Sequence, residues 1–220
     1  IPEEYGGQGL DKITGAIIAE EIAKQGSFAC TFLAHTGIGT LPIRFFGTEE
    51  QKKKYLPKLV NGEWIASYCL TESGAGSDAN SANAEAVETE SGFVLNGEKT
   101  FVTNGGFADL FIVFAQLKEF EGGSKWKKLG LTAFIVEKNS PGLVIGAEEH
   151  KMGIRGSSTA TISLNNVLVP KENLLGEPGK GFKIALNILN LGRFKLAAAS
   201  LGGGRLGLEQ ALKYSQERKQ

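Results

Sequence analysis

The stretch Tyr68-Cys-Leu-Thr-Glu-Ser-Gly-Ala-Gly-Ser-Asp78 constrains this chain more than any other, because an apolar, strand-like run opens into Gly74, Gly76 and Ser77. Residues without side chains leave backbone N–H groups open to an anion, the arrangement a pyrophosphate needs. A second glycine-bearing run, Phe101-Val-Thr-Asn-Gly-Gly106, follows after a short spacer. The pair suggests a nucleotide-type cofactor.

Gly74-x-Gly76-x-x-Ala79 also matches the loose dinucleotide fingerprint, which has meaning only where a strand runs straight into it and a helix starts within it. Here Thr71, Glu72 and Ser73 intervene, and Glu85-Ala-Val-Glu-Thr alternates as a strand does. Asn96-Gly97 between two alternating apolar runs predicts a hairpin turn. The glycines are therefore expected in an antiparallel β region. A nicotinamide-binding Rossmann module, which needs parallel strands and crossover helices, is the disfavoured alternative.

With 41% apolar and 22% charged residues, the 220-residue chain has the composition of an ordinary soluble protein, enough for one large domain or two modest ones. It contains no apolar run long enough for a membrane span. Its 24 basic and 24 acidic residues balance, and no basic block exceeds Lys52-Lys53-Lys54, which argues against a nucleic-acid partner. Cys30 and Cys69 form no C-x-x-C pattern and read as small buried apolar residues; His35 and His150 lack neighbours at ligand spacing. No metal site is expected.

Apolar positions Ile13, Ala16, Ile17, Ala19, Ile22 and Ala23 predict a helix from Asp11 that Gly26 terminates. A second helix is expected over Ser27–Phe46, kinked or divided at Pro42. Thr48-Glu-Glu-Gln51 has capping-box spacing and should open a third. From about Glu63 to Asn173 the chain reads as β-strands at Trp64–Leu70, Phe93–Leu95, Leu110–Gln116, Leu131–Val136 and Thr161–Val169. Breaks at Glu121–Ser124 and Asn139–Gly142 point to an antiparallel barrel or sandwich. Helical spacing returns with Phe182, Ala185, Leu186 and Leu189. In that last helix Gly202-Gly-Gly204 implies close approach of another backbone, since each glycine costs about 1 kcal/mol relative to alanine.

In order, Ile1-Pro-Glu-Glu-Tyr-Gly-Gly, Gly47-Thr-Glu-Glu-Gln-Lys-Lys-Lys-Tyr-Leu-Pro, the Tyr68–Asp78 loop, Asn96-Gly97 with Thr103-Asn-Gly-Gly106, and Lys151-Met-Gly-Ile-Arg-Gly-Ser-Ser158 closely resemble the acyl-CoA dehydrogenase family of flavoenzymes. The resemblance covers nearly the whole chain and implies an α+β multi-domain fold. Residues 1–62 would be the second half of an N-terminal helical domain, 63–176 a central antiparallel β-barrel or sandwich domain, and 177–220 the opening of a C-terminal helical bundle. The chain is then expected to be a section of a longer protein.

The same resemblance implies FAD as cofactor and α,β-dehydrogenation of an acyl-CoA to the trans-2-enoyl-CoA. A carboxylate removes the α-proton while a hydride passes to the flavin. Electrons would go to an electron-transfer flavoprotein. Tyr68, Leu70, Thr71, Gly76 and Ser77 would lie along the flavin and its pyrophosphate, and Phe101, Val102 and Thr103 would cover the ring. Phe101 departs from the tryptophan many members carry and covers less area. Ser77, Asn190, Gly192 and Arg193 would meet the substrate. Arg218 corresponds to an arginine that reaches the nucleotide of a neighbouring subunit, implying a homodimer or homotetramer.

In a minority of members the base immediately precedes the arginine that here is Arg193; Gly192 stands there and cannot take a proton, so no catalytic base is expected in this chain. Asn187-Ile-Leu and Asn190-Leu-Gly-Arg193-Phe look most like the very-long-chain branch. A scaffolding role in respiratory-complex assembly on the same fold is the alternative function. Two unpaired cysteines suit a reducing compartment, bacterial cytoplasm or mitochondrial matrix, and membrane association stays open.

Taken without the resemblance, Tyr68, Leu70, Phe101 and Val102 read as alternating strand residues facing a core, and Thr71, Ser77 and Thr103 as strand-end or turn hydroxyls. Arg193 reads as a cation snorkelling across a helix seam, and Arg218 as a favourable helix C-terminal charge.

Overall fold

The computed structural model describes residues 1–122 and 125–219. Helix α1 spans Lys12–Ile22 and starts where the Asp11 carboxylate accepts the Thr14 N–H at 2.7 Å. It stops short of Gly26. That glycine instead opens α2, Gly26–Leu33, because a turn through Lys24 and Gln25 already ends the first helix. α2 runs into a π-helical turn, Ala34–Gly39, and α3 follows at Leu41–Phe46 with Pro42 in its first turn. There a proline's missing N–H costs nothing, so Pro42 divides the expected long helix.

Helix α4, Glu49–Val60, carries the expected capping box: Gln51 N–H donates to Thr48 Oγ1 at 3.2 Å and Thr48 N–H to Gln51 Oε1 at 3.0 Å. The Gln51 amide also donates to the carbonyls of Glu172 and Leu174, at 2.7 and 2.8 Å. One side chain thus caps a helix and ties it to the end of the β region.

Eight strands follow: β1 Ala66–Cys69, β2 Glu85–Thr89, β3 Gly92–Thr103, β4 Leu110–Gly122, β5 Lys125–Glu137, β6 Leu143–Glu148, β7 Thr159–Val169 and β8 Leu174–Leu175. All five predicted runs fall on strands, four of them inside longer ones. Of the break expected at Glu121–Ser124, Gly123 and Ser124 lie outside the described residues; the Asn139–Gly142 break is a turn between β5 and β6. The sheet order is β6-β7-β3-β2-β4-β5-β8, with β1 on β4. Pairing is mostly antiparallel, but β1 and β2 both run parallel to β4.

Those two parallel pairings place the glycine loop. β1 pairs with β4 as far as Val113, and β2 joins the same edge at Gln116. The gap spans only Phe114 and Ala115, so residues 70–84 must leave the sheet and return. Within that excursion the only helical element is a 3-10 turn at Ala79–Ser81, which removes the Rossmann reading.

Asn96-Gly97 is not a hairpin turn. β2 turns into β3 through Glu90 and Ser91, and Asn96-Gly97 lies inside β3 as a bulge, where the register with β7 shifts. A bulge needs the same glycine freedom a turn does: Gly97 has φ 138, and a Cβ there would sit 2.7 Å from Ala84 Cα. The antiparallel pairing of the region stands.

Along β4, Leu110, Ile112 and Phe114 face a core shared with Ile43, Tyr55 and Leu56, while Phe111, Val113 and Ala115 face an inner β core with Phe93, Phe134 and Ile162. Side-chain alternation puts the two sets on opposite faces, so the central strand is apolar throughout. Helix α5, Gly181–Glu217, continues unbroken through Gly202–Gly204.

Candidate functional site

A cavity of about 350 Å³ opens where four elements meet. The end of β1 and the loop beyond it supply Tyr68, Leu70, Thr71, Gly76, Ser77 and Ala79; the end of β3 supplies Phe101 and Thr103. The opposite wall is apolar: Ala34 and Ile38 from the π-turn, and Phe182, Ala185, Leu186 and Leu189 from α5, with Arg193 one turn further. π-Turns recur where a helix must present side chains out of the ordinary register.

Local chemistry explains the polar wall. Glu72 and Ala75 exchange backbone hydrogen bonds at 3.1 Å across Ser73-Gly74, a tight turn that throws Gly76 and Ser77 forward. A Cβ at Gly74 or Gly76 would meet nothing within 4 Å, so the backbone there is open to approach. On the facing strand Phe101 has φ 54 and is 66% exposed. A buried-type aromatic held in the left-handed region and left bare to the cleft is a strained, functional-looking feature.

Beneath the loop lies a buried ion pair. Lys99 Nζ donates to Glu72 Oε1 at 2.6 Å and to the Leu70 carbonyl at 3.2 Å; Glu72 also accepts the N–H groups of Asn83 and Ala84, at 2.6 and 3.0 Å. Burial opposes the Glu72 charge, but Lys99 and the two amides hold its carboxyl below the usual range. Burial also pulls Lys99 down while Glu72 resists. Three donors on one carboxylate make the charged pair the state this geometry supports. Removing one partner of such a pair generally costs about 3–5 kcal/mol.

Seven of the flavin-side residues read from sequence line the cavity: Tyr68, Leu70, Thr71, Gly76, Ser77, Phe101 and Thr103. Val102 does not. Alternation along β3 turns it into the inner β core, where it is 1% exposed. Of the substrate-side residues, Ser77 and Arg193 line the cavity; Asn190 stands behind Arg193, accepting from its guanidinium at 2.6 Å. Gly192 packs on the cavity residue Ile38, and a Cβ there would be 3.3 Å from Ile38 Cγ2. Arg218 caps the far end of α5, away from the cavity.

Sequence reasoning missed the π-turn wall, since Ala34 and Ile38 carry no polar signal, and it read Phe182, Ala185, Leu186 and Leu189 only as generic helix-core positions. It also passed over Lys99 and Glu72, because Lys99 lies between Glu98 and Thr100 in a polar stretch of β3 and nothing in the spacing marks it as buried.

The cavity fits a nucleotide-type aromatic cofactor on a structural criterion. Tyr68 packs on Phe114 with ring centroids 5.0 Å apart, yet its buried hydroxyl has no protein partner among the described residues, and burial pushes its pKa up. A buried orphan hydroxyl calls for a polar partner. Hydroxyls of Thr71, Ser77 and Thr103 line the same space.

Three domain models of one family match in succession: acyl-CoA dehydrogenase N-terminal domain over 1–63, middle domain over 67–167 and C-terminal domain over 179–220. The chain belongs to the acyl-CoA dehydrogenase family. It is 54% identical to a probable acyl-CoA dehydrogenase of Bacillus subtilis (strain 168), over 100% of this chain and 36% of that protein. It is 43% identical to the very long-chain specific acyl-CoA dehydrogenase, mitochondrial, of Homo sapiens, over 34% of that protein.

Among solved structures, acyl-CoA dehydrogenase complexed with FAD from Bacillus anthracis superposes with a TM-score of 0.93 at 51% identity, covering 100% of this chain and 37% of that one. Butyryl-CoA dehydrogenase from Megasphaera elsdenii gives 0.91 at 43%, covering 100% and 57%. The chain therefore spans about a third to just over half of its relatives' length. Among the described residues no cluster of histidine, cysteine or acidic side chains could hold a metal, and no helix is long and apolar enough to cross a membrane.

Proposed function

We propose that these residues form the cofactor-facing part of a FAD-dependent acyl-CoA dehydrogenase. The observation that carries this is the cleft itself. One wall offers hydroxyls and open glycine backbone beside a bare aromatic ring, and the other an apolar face between the π-turn and α5. A flavin bound there would supply the hydride acceptor for dehydrogenation of a thioester.

Thr71 and Thr103 would hydrogen-bond a flavin ring, Gly76 and Ser77 would hold its pyrophosphate, and Phe101 would cover one face. Arg193, oriented by Asn190, would take the coenzyme A end, while Ile38, Leu186 and Leu189 exclude water from the acyl chain. None of the residues lining the described cavity is a carboxylate. The base that removes the α-proton is accordingly proposed to come from a part of the protein outside these 220 residues. We place the domain divisions at 62/63 and 176/177.

Finer points belong to the same proposal. The substrate is a long-chain acyl-CoA, supported by the likeness of the Asn187–Phe194 stretch to the very-long-chain branch. The electron acceptor is an electron-transfer flavoprotein approaching the Phe101 side. Arg218 reaches a second copy in a homodimer or homotetramer, and the compartment is bacterial cytoplasm or mitochondrial matrix.

The test is the visible absorption spectrum of the full-length protein before and after anaerobic addition of a long-chain acyl-CoA. A flavin band that bleaches supports the reading. A band that persists points to another acyl chain or a missing base, and no flavin at all would move the assignment to scaffolding. Highest activity on chains below C8 in a substrate panel would reject the chain-length proposal.

A further inference from the structure

Beyond the Asn96-Gly97 bulge, β3 pairs regularly with β7 from Gly97 until Lys99 meets Ile162, and regains register only at Val102 opposite Ala160. Thr100 and Phe101 are therefore bulged out against Thr161. A bulge re-aims side chains and needs something to hold the displaced backbone. Here the Thr100 N–H leaves the ladder and donates to the Thr71 carbonyl at 2.9 Å, and Phe101 takes its left-handed conformation immediately after.

Lys99, the residue before the bulge, is fully buried and reaches the same stretch of loop, at the Leu70 carbonyl and the Glu72 carboxylate. Glu72 then grips the far end of the excursion through Asn83 and Ala84. One carboxylate so closes the 70–84 loop on itself and fastens it to β3. Neither Lys99 nor Glu72 lines the cavity, whereas Thr71, between the two anchor points, does.

We propose that Lys99 and Glu72 are a positioning pair, a clasp that fixes the glycine loop against the β3 bulge and so sets the relative placement of Thr71, Ser77 and Phe101. Its flavin consequence rests on the function proposed above. Apolar replacements would fill the same space without specifying one geometry. The pair matters because it holds both polar walls of the cleft at once.

The test uses the full-length protein with Lys99→Met and Glu72→Gln combined, which removes both charges and strands neither. Amide hydrogen exchange is followed in the flavin-free protein and FAD affinity is measured separately by fluorescence quenching. Exchange in peptides covering 70–84 and 99–104 is expected to accelerate about tenfold or more while β4 and β5 keep wild-type rates. FAD affinity should fall about tenfold, and the visible circular dichroism of the remaining bound flavin should change.

Unchanged exchange in the two segments, or an equal rise in β4 and β5, would overturn the proposal in favour of a packing role. If wild type binds no FAD, the function reading fails and the exchange comparison still decides the clasp. Should the double variant not fold, Glu72→Asp alone, which keeps the charge pair and both carboxylate oxygens but shortens the reach by one methylene, is judged by the same comparison.

Discussion

Gly202 of α5 lies against the Glu20 carbonyl of α1 so closely that a Cβ at Gly202 would sit 1.8 Å from that oxygen. Arg205, one turn on, pairs with the Glu20 carboxylate at 2.7 Å, so the helix crossing is fixed by a backbone contact and a charge contact to one residue. Gly203 and Gly204 have nothing within 4 Å of a Cβ.

Three adjacent glycines should therefore respond with opposite signs. Gly202→Ala forces the helices apart and is expected to destabilise by about 1–3 kcal/mol. Gly203→Ala and Gly204→Ala meet open space and each gains helix propensity, up to about 1 kcal/mol. Urea midpoints of the three variants decide it; a uniform sign would mean that the crossing does not govern this helix.

His35 ties the π-turn to the sheet. Its Nδ1 accepts the Ala66 N–H at 3.0 Å, so Nε2 carries the proton and donates to the Leu59 carbonyl at 3.0 Å. Accepting from Ala66 requires the neutral ring, whereas the donation to Leu59 survives protonation. Burial, only partly opposed by Leu59, holds its pKa below 6.5. Below 6.5 the unfolded chain takes a proton here that the folded chain resists, so stability is lost as pH falls through the depressed folded value. His35→Gln should be less stable at neutral pH but lose less on acidification, and equal slopes of unfolding free energy against pH would contradict this.

What could be read beforehand follows how local the cause is. The Thr48–Gln51 box lies within four residues, and it formed as expected. Tyr68, Thr71 and Ser77 share one segment, so their meeting in one cavity needed only a loop. Asn96-Gly97 was legible as a site of unusual backbone but not as turn or bulge. That choice depends on Asn166, which donates its N–H to Asn96 Oδ1 across 70 positions of chain. The Lys99–Glu72 pair likewise depends on where β3 bulges, and the α5 wall on which apolar positions of a long mixed helix meet the π-turn. Neither is encoded in spacing.

The two cysteines should differ sharply in reactivity. Burial pushes the Cys69 thiol up to about 12, against the opposing effects of Lys99 and Ser67, whereas Cys30 is half-buried. Since the thiolate is the reacting form, iodoacetamide at about pH 8 should label Cys30 in the folded protein and Cys69 only after unfolding. Peptide mapping that finds Cys69 alkylated first would show that β1 opens locally.

Phe101 separates strain from contact. A non-glycine residue at φ 54 costs about 1–2 kcal/mol, while glycine adopts it freely but gives the unfolded chain about 0.5–1 kcal/mol of extra entropy to lose. Because the ring is already two-thirds bare, truncating it forfeits little burial. Phe101→Gly is thus expected to leave stability within about 1 kcal/mol of wild type, and Phe101→Ala, which keeps the strain, to be the less stable of the two. Both should bind FAD more weakly, and Phe101→Trp should restore or improve affinity by covering more of the ring. Thermal unfolding paired with FAD titration reads both properties. Equal FAD affinity across all four proteins would remove Phe101 from the flavin face, and an Ala variant more stable than the Gly variant would show that the bulge relaxes once the ring is gone.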